Sequence, residues 1–176
     1  FMIFLAVMLA ACSDYDCDKY TRQYTVTYDG NTHTGGEPPE DTQTYYYAFA
    51  VTVKDRGTLV KDGHTFACWN TRADGSGTDK TPGSDFTMGR ANVIFYAKWT
   101  INPTYTVTYE ANSGSGDVPE DTNDYLAGAT VTVQDSGSLE KAGYTFTAWN
   151  TVADGSGISR VPGSTFTMGS ADVILY

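Results

Sequence analysis

A stretch of this chain is written twice. Tyr24-Thr25-Val26-Thr27-Tyr28 returns as Tyr105-Thr106-Val107-Thr108-Tyr109, and Trp69-Asn70-Thr71 returns as Trp149-Asn150-Thr151. The offset is 81 residues from Tyr24 to Tyr105 and 80 from Pro39 to Pro119, so a single deletion separates the copies. A period of that length divides the 176 residues into two small domains, not one ordinary one. Each copy also acts as a control for the other, because a residue that chemistry needs in every unit stands at both positions. A unit this small buries only about 60 to 65% of its unfolded-chain surface. Its stability therefore rests on well-placed rings, and the chain supplies 13 Tyr, 8 Phe and 3 Trp.

Within one copy, Tyr24-Thr25-Val26-Thr27-Tyr28 alternates ring or apolar residues with hydroxyls, the period of a half-buried strand with Tyr24, Val26 and Tyr28 inward. Gly30 to Asp41 reads as a loop. Val51-Thr52-Val53 (again as Val131-Thr132-Val133) and His64 to Trp69 (again as Tyr144 to Trp149) read as further strands. Asp74-Gly75, Asp154-Gly155, Pro82-Gly83 and Pro162-Gly163 mark tight turns whose Gly takes positive φ. Phe86-Thr87-Met88 and Val93 to Trp99 close the unit, with Val93, Phe95, Ala97 and Trp99 on one face. No segment keeps a 3.6-residue apolar period. The expected fold class is mainly β with minor α+β character, one short helix per unit at most, in two tandem small repeat domains over 24–100 and 105–176. Thr100 to Thr104, with Pro103, is the expected hinge. The second copy reaches Tyr176 before any counterpart of Ala97-Lys98-Trp99, and is expected to be the less stable for lack of that Trp, by about 3 to 5 kcal/mol.

The N-terminus is of different material. Phe1 to Ala11 is uncharged and apolar, shorter than the about 20 residues a membrane-spanning helix needs, and reads as a signal-peptide core over 1–11. Leu9-Ala10-Ala11-Cys12 resembles the lipobox of bacterial lipoproteins, which implies a lipidated Cys12 anchoring the chain to a membrane. The other reading is a Cys that happens to follow an Ala-rich cleavage site. No Lys or Arg precedes the run, as expected if the gene product begins upstream of Phe1. Residues 12–23 read as an acidic tether, and its Asp residues resemble the surface-export signal of lipoproteins in the Bacteroides group. Cys17 and Cys68 are left, and Cys68 stands where the second copy has Ala148, so a disulfide between them would tie a tail to one copy only.

Val-Thr-Tyr, Trp-Asn-Thr, Ala-Asp-Gly-Ser-Gly and Phe-Thr-Met recur in both copies, and Tyr-Ala-Lys-Trp closes the first. With them the chain resembles the Listeria–Bacteroides repeat, also described as the B repeat of internalin B, over 24–100 and 105–176. The resemblance implies a β-grasp-like sheet, found in tandem arrays on bacterial surface proteins as stalks or adhesive modules. Two departures stand out: Gly63-His64 replaces Gly-Tyr, and Ala48 stands where the second copy has Gly128, which puts a turn in question.

The formal charge of −10 argues against nucleic acid as a partner, because phosphate affinity rests on clustered Lys and Arg. Asp74, Ser76, Thr78 and Asp85 fit positions 1, 3, 5 and 12 of a calcium loop, but position 6 is Asp79 where Gly is required, and the second copy has Ile158 and Thr165. His33 has no counterpart and His64 matches Tyr144, so it reads as a packing ring. Neither His-based catalysis nor a metal centre finds partners. Glu40-Asp41 and Glu120-Asp121 recur, but adjacent acids cannot take the opposed positions of glycoside hydrolysis. No catalytic, cofactor-binding or metal-binding residue is expected, and no cofactor.

One site is local to the first copy. Tyr45-Tyr46-Tyr47-Ala48-Phe49 stands against Tyr125-Leu126-Ala127-Gly128-Ala129. In an extended segment Tyr45, Tyr47 and Phe49 share one face and Tyr46 the other. These rings either fill space under a rearranged turn or form a patch that stacks on a glycan or a host protein. The expected protein is a non-catalytic, lipid-anchored, surface-exposed module of the bacterial cell envelope, a stalk or adhesin. The alternative is a carbohydrate-binding module of an outer-membrane glycan uptake system.

Overall fold

The computed structural model describes residues 21–176. The leader over 1–11, Cys12, Cys17 and most of the 12–23 tether lie outside the described residues. The chain divides between Ile101 and Asn102 into two compact units. The hinge is shorter than the sequence suggests, since strand structure runs through Ile101 and resumes at Thr104, leaving Asn102-Pro103 between.

Unit 1 contains β1 (Gln23–Asp29), β2 (Thr44–Tyr46), β3 (Ala50–Thr52), β4 (His64–Asn70), β5 (Asp79–Lys80), β6 (Asp85–Thr87) and β7 (Val93–Ile101). Five of them form one sheet in the order β2-β1-β7-β4-β5, with β1 and β7 parallel and the other neighbours antiparallel. β3 and β6 pair outside that sheet. Alternation does what the sequence implies: Tyr24, Val26 and Tyr28 are buried, and β7 turns Phe95 and Ala97 inward while Ile94 stays exposed. Val51, Val53, Leu59, Trp69 and Met88 complete the core.

Strict alternation along β4 would put Phe66 beside Cys68 on one face and Trp69 on the other. The register shifts between Phe66 and Cys68, so that Phe66 faces Trp99 and Trp69 faces Ala97. Such a bulge adds one residue and re-aims the side chains beyond it. Phe66 and Trp69 consequently meet edge to face, with ring centroids 5.2 Å apart.

Unit 2 contains β8 (Thr104–Tyr105), β9 (Val107–Tyr109), β10 (Tyr125–Leu126), β11 (Thr130–Thr132), β12 (Trp149–Asn150), β13 (Ser159–Arg160), β14 (Thr165–Thr167) and β15 (Val173–Leu175). Four of the five pairings of unit 1 recur, including the parallel pair, here β15 with β9; the β4–β7 pairing has no strand counterpart. Val107, Tyr109, Val131, Val133, Trp149, Met168 and Leu175 form its core.

Two expectations are corrected. The strand anticipated over Tyr144 to Trp149 is present only as β12. In unit 1 the outer half of β4 pairs with Ala97–Ile101 of β7. In unit 2 Tyr176 exchanges both backbone bonds with Asn150 at 2.8 Å, and no described residue lies across from Thr145–Ala148. The short helix per unit is also absent: residues 22–176 contain strands, isolated bridges, turns and bends only.

The departure at Ala48 leaves the turn intact. Ala48 takes φ 66° and Gly128 φ 88°, and their amides donate to Met88 and Met168 carbonyls at 2.9 and 2.8 Å. The deletion falls at His33-Thr34, which Gly114 alone replaces. Asn31 and Thr32 share positive φ with Asn112 and Ser113 before it, and the bridges Gly35 to Val60 and Ser115 to Glu140 match after it.

Candidate functional site

The Tyr45–Phe49 run does not form one face. Tyr45 and Tyr47 are half-buried against the core, whereas Phe49 is 45% exposed and meets Tyr46 with ring centroids 5.8 Å apart. The left-handed Ala48 breaks the extended geometry that would have kept Phe49 beside Tyr47. Tyr45 also has a task that recurs. Its hydroxyl donates to Asp41 Oδ2 at 3.0 Å, as that of Tyr125 donates to Asp121 at 2.9 Å. Burial, then the Asp41 contact, pushes the Tyr45 hydroxyl up to about 12. Tyr47 lies under the Arg90 guanidinium, whose carbon is 4.2 Å from the ring centroid. Unit 2 has Ala127 and Ser170 at these positions, so ring and cation change together. Half-buried Tyr46 and exposed Phe49 are the two rings of the run that lie outside the packed core cluster.

The recurring acids and amides hold loops. Asp41 Oδ1 accepts from the Gln43 amide at 3.1 Å, and Asp121 Oδ1 from that of Asn123 at 3.0 Å. Asp74 Oδ1 accepts from the amide and hydroxyl of Ser76 at 2.9 and 2.7 Å, and these bonds hold its carboxyl below the usual range. Asp85, at the far end of the calcium count, accepts from the Thr52 hydroxyl at 2.6 Å.

Sequence reasoning left the Trp-Asn-Thr motif unexplained beyond its Trp. Asn70 is the buried polar residue of unit 1. Its Oδ1 accepts from the amides of Arg72 and Gly77 at 2.9 and 3.0 Å. Its Nδ2 donates to Gly75 O at 3.2 Å and to Asp79 Oδ1. Thr71 Oγ1 accepts from the Thr78 amide at 2.8 Å. A Cβ on Gly77 would lie 2.3 Å from that oxygen, which is why Gly closes Ala-Asp-Gly-Ser-Gly. Asn150, Thr151 and Gly157 repeat the arrangement. Recurrence of the motif was the signal that could have found it.

Ionic contacts in unit 1 join Lys98 Nζ to Asp79 Oδ2 at 2.9 Å and Lys54 Nζ to Asp41 Oδ1 at 3.8 Å. The Lys98 and Asn70 hydrogen bonds hold the Asp79 carboxyl low. Burial, then the Asp79 charge, pushes the free Cys68 thiol up. His64 is not the packing ring expected: its Nδ1 lies 2.8 Å from Asp62 O, and Tyr144 at the matching position is 74% exposed. His33 lies over Gly30, where an added Cβ would fall 2.1 Å from its Nδ1. Among the described residues no group of three or more His, Cys, Asp or Glu is placed to hold a metal ion.

The Listeria-Bacteroides repeat domain matches residues 24–98 and again 105–176. Two relatives come from Evansella cellulosilytica. One, provisionally named a Gly-rich membrane protein, is 40% identical over 92% of this chain and 19% of its own length. The other, provisionally named a membrane protein, is 34% identical over 88% of this chain and 22% of its own length. The chain thus spans about a fifth of each relative. No solved structure matches.

Proposed function

Because the chain belongs to the Listeria-Bacteroides repeat domain family, we propose that it is a non-catalytic module of a bacterial cell-envelope protein, a stalk or adhesive array anchored by lipid on Cys12. The observation that carries this reading is where the recurring polar atoms go. Tyr28 and Tyr109, Asp41 and Asp121, Asn70 and Asn150, Thr71 and Thr151 each bind backbone or a neighbouring loop side chain in both units. What the copies share is chemistry that holds a fold. The names of the longer relatives, both membrane proteins, support an envelope location. The test is protease accessibility of the repeats on intact cells making the longer protein, beside a Cys12→Ala control. Cleavage from outside that vanishes with Cys12→Ala supports the reading. Cleavage only after the envelope is opened overturns it.

The contact of half-buried Tyr46 with exposed Phe49 favours a second reading, in which unit 1 binds glycan by stacking sugar rings on these aromatics. Its test is polysaccharide binding by the protein with Tyr46→Leu and Phe49→Ala. Tyr47 is left in place because its stack with Arg90 supports the core. Binding that persists in this variant removes the pair from consideration.

A further inference from the structure

The two units share a carboxylate and a carbonyl but differ in what sits on them. In unit 1 Lys54 Nζ donates to Glu40 O at 2.7 Å and lies 3.8 Å from Oδ1 of Asp41, whose side chain is fully buried. Unit 2 keeps Glu120 and Asp121, but Gln134 stands for Lys54, and its Nε2 donates to Glu120 O at 3.2 Å. A second charge leaves with the lysine. Thr52 Oγ1 donates to Asp85 Oδ1 at 2.6 Å across the β3–β6 pair, whereas Thr132 faces Thr165 across β11–β14. A third change adds a hydroxyl, Thr130 where unit 1 has Ala50.

In unit 2 these changes fall in one cleft of about 680 Å³, bordered by Asp121, Asn123, Thr130, Thr132, Gln134 and Asp135. That volume is within the range of roughly 300–1,000 Å³ that small-ligand sites occupy. Asp121 is fixed in it: Oδ1 accepts from the amide and Nδ2 of Asn123 at 3.0 and 2.7 Å, and Oδ2 from the Tyr125 hydroxyl at 2.9 Å. An ionised carboxylate has about four acceptor positions, so one is left. Two carboxylates line the cleft, and none of its lining residues is Lys or Arg. The acceptors that hold an ammonium in unit 1 are thus kept, while the cation the chain itself supplied there is gone. The hydroxyls and amide beside them match the alcohols of a sugar better than they match the methylene stem of a lysine.

We propose that this cleft of unit 2 binds an amino sugar of a glycan. Its primary ammonium takes the place on Asp121 and the Glu120 carbonyl that Lys54 Nζ takes on Asp41 and Glu40 in unit 1, and its hydroxyls meet Thr130, Thr132 and Gln134. The free amine sets selectivity, because N-acetylation removes the charge and leaves the carboxylate against a neutral amide. Residue 134 decides which unit is open, since Gln there leaves room for an ammonium that Lys would occupy. Neither the lipid anchor nor the Tyr46–Phe49 pair takes part, so binding here stands or falls independently of them.

The experiment titrates the 176-residue protein, labelled for amide detection, with a β-linked tetramer of glucosamine. It is run at about pH 6, where an amine of α-amino basicity is charged, and at about 0.15 M salt, which screens long-range attraction to a chain of charge −10. Saturable shifts are expected at Asn123, Thr130, Thr132 and Gln134, and the N-acetylated tetramer should bind about tenfold more weakly or worse. Gln134→Lys installs the residue of unit 1 and leaves the backbone bonds of residue 134 to Tyr109 and Trp149 in place, and it should also weaken binding about tenfold or more. Glu110→Gln makes the same change of charge at an exposed residue outside the cleft and should alter affinity by less than about threefold. No saturable shift at millimolar tetramer, equal binding of the acetylated tetramer, or unchanged binding by Gln134→Lys overturns the proposal. Stronger shifts of the same amides by a short peptide carrying one lysine assign the cleft to a protein partner and overturn it equally.

Discussion

The indole of Trp69 donates to the carbonyl of Lys54 at 3.0 Å, and the amide of the same Lys54 donates to the Tyr28 hydroxyl at 2.8 Å. Two core rings thus hold both polar groups of one backbone residue. Unit 2 repeats this with Trp149 and Tyr109 on Gln134, at 3.0 and 2.9 Å. The ring pairs match as well, each with centroids 4.8 Å apart at 62°. Only the backbone of residue 54 or 134 is used by the rings, so Lys and Gln serve alike.

Replacing Trp69 or Trp149 by Phe keeps an aromatic ring but leaves a part-buried carbonyl unpaired. Each substitution should lower the stability of its own unit by about 1–3 kcal/mol. Lys54→Gln should stay within about 0.5 kcal/mol of wild type. Urea unfolding followed by amide signals of each unit checks both, and a large effect of Lys54→Gln would give its side chain a role this clamp does not.

The strands were legible in the sequence wherever one face is buried, as at Tyr24, Val26 and Tyr28, because alternation is a local property. The extent of the strand expected over Tyr144 to Trp149 was not: only Trp149–Asn150 forms β12, and pairing is a long-range fact that a local pattern does not report. The bulge in β4 escaped for the same reason, since it follows from the need to bring Phe66 and Trp69 together against Trp99. Of the candidate aromatic site, comparing the copies picked out the added rings. Their separation into a core-packed Tyr47 and an exposed Phe49 against half-buried Tyr46 depends on Ala48 adopting a backbone that its side chain disfavours.

Ala48 at φ 66° carries the strain that Gly128 avoids in the equivalent turn. A left-handed non-Gly residue costs roughly 1–2 kcal/mol, partly offset by the greater unfolded-state freedom of Gly. Ala48→Gly should therefore stabilise unit 1 by about 0.5–1 kcal/mol. Gly128→Ala should destabilise unit 2 to a similar extent. Thermal unfolding of the two variants measures both signs.

Gly30 and His33 form a coupled pair. The His33 ring occupies the space of a Cβ at Gly30, whereas unit 2 carries Ala111 with Gly114. Gly30→Ala should destabilise unit 1 by about 1 kcal/mol, at the low end for overpacking because an exposed ring can swing away. Adding His33→Ala should restore most of that loss. A double-mutant cycle with no coupling would refute the pairing.

Alkaline pH should weaken unit 1 through Tyr45, whose hydroxyl is pushed up to about 12 by burial and by Asp41. An unfolded tyrosine ionises near 10. Below that pH both states keep the proton and the shift has no effect. As pH rises from about 10 toward 12, the unfolded chain releases the proton and the folded one holds it, so stability falls across that window. Tyr45→Phe should flatten the fall in denaturant midpoint between about pH 9 and 12. An unchanged slope would leave Tyr28, Cys68 and Lys98, each raised in the folded unit, as the groups responsible.

Asn70 holds its loop through the amides of Arg72 and Gly77, and Asn150 holds the matching loop through those of Val152 and Gly157. If the recurring polar atoms hold the fold, Asn70→Ala should lower the stability of unit 1 by about 1–3 kcal/mol and leave unit 2 unchanged, and Asn150→Ala should do the reverse. Hydrogen exchange under native conditions reads Val26–Tyr28 and Val107–Tyr109 in the same sample. Loss of protection confined to the substituted unit is expected, and unchanged protection there would contradict the account.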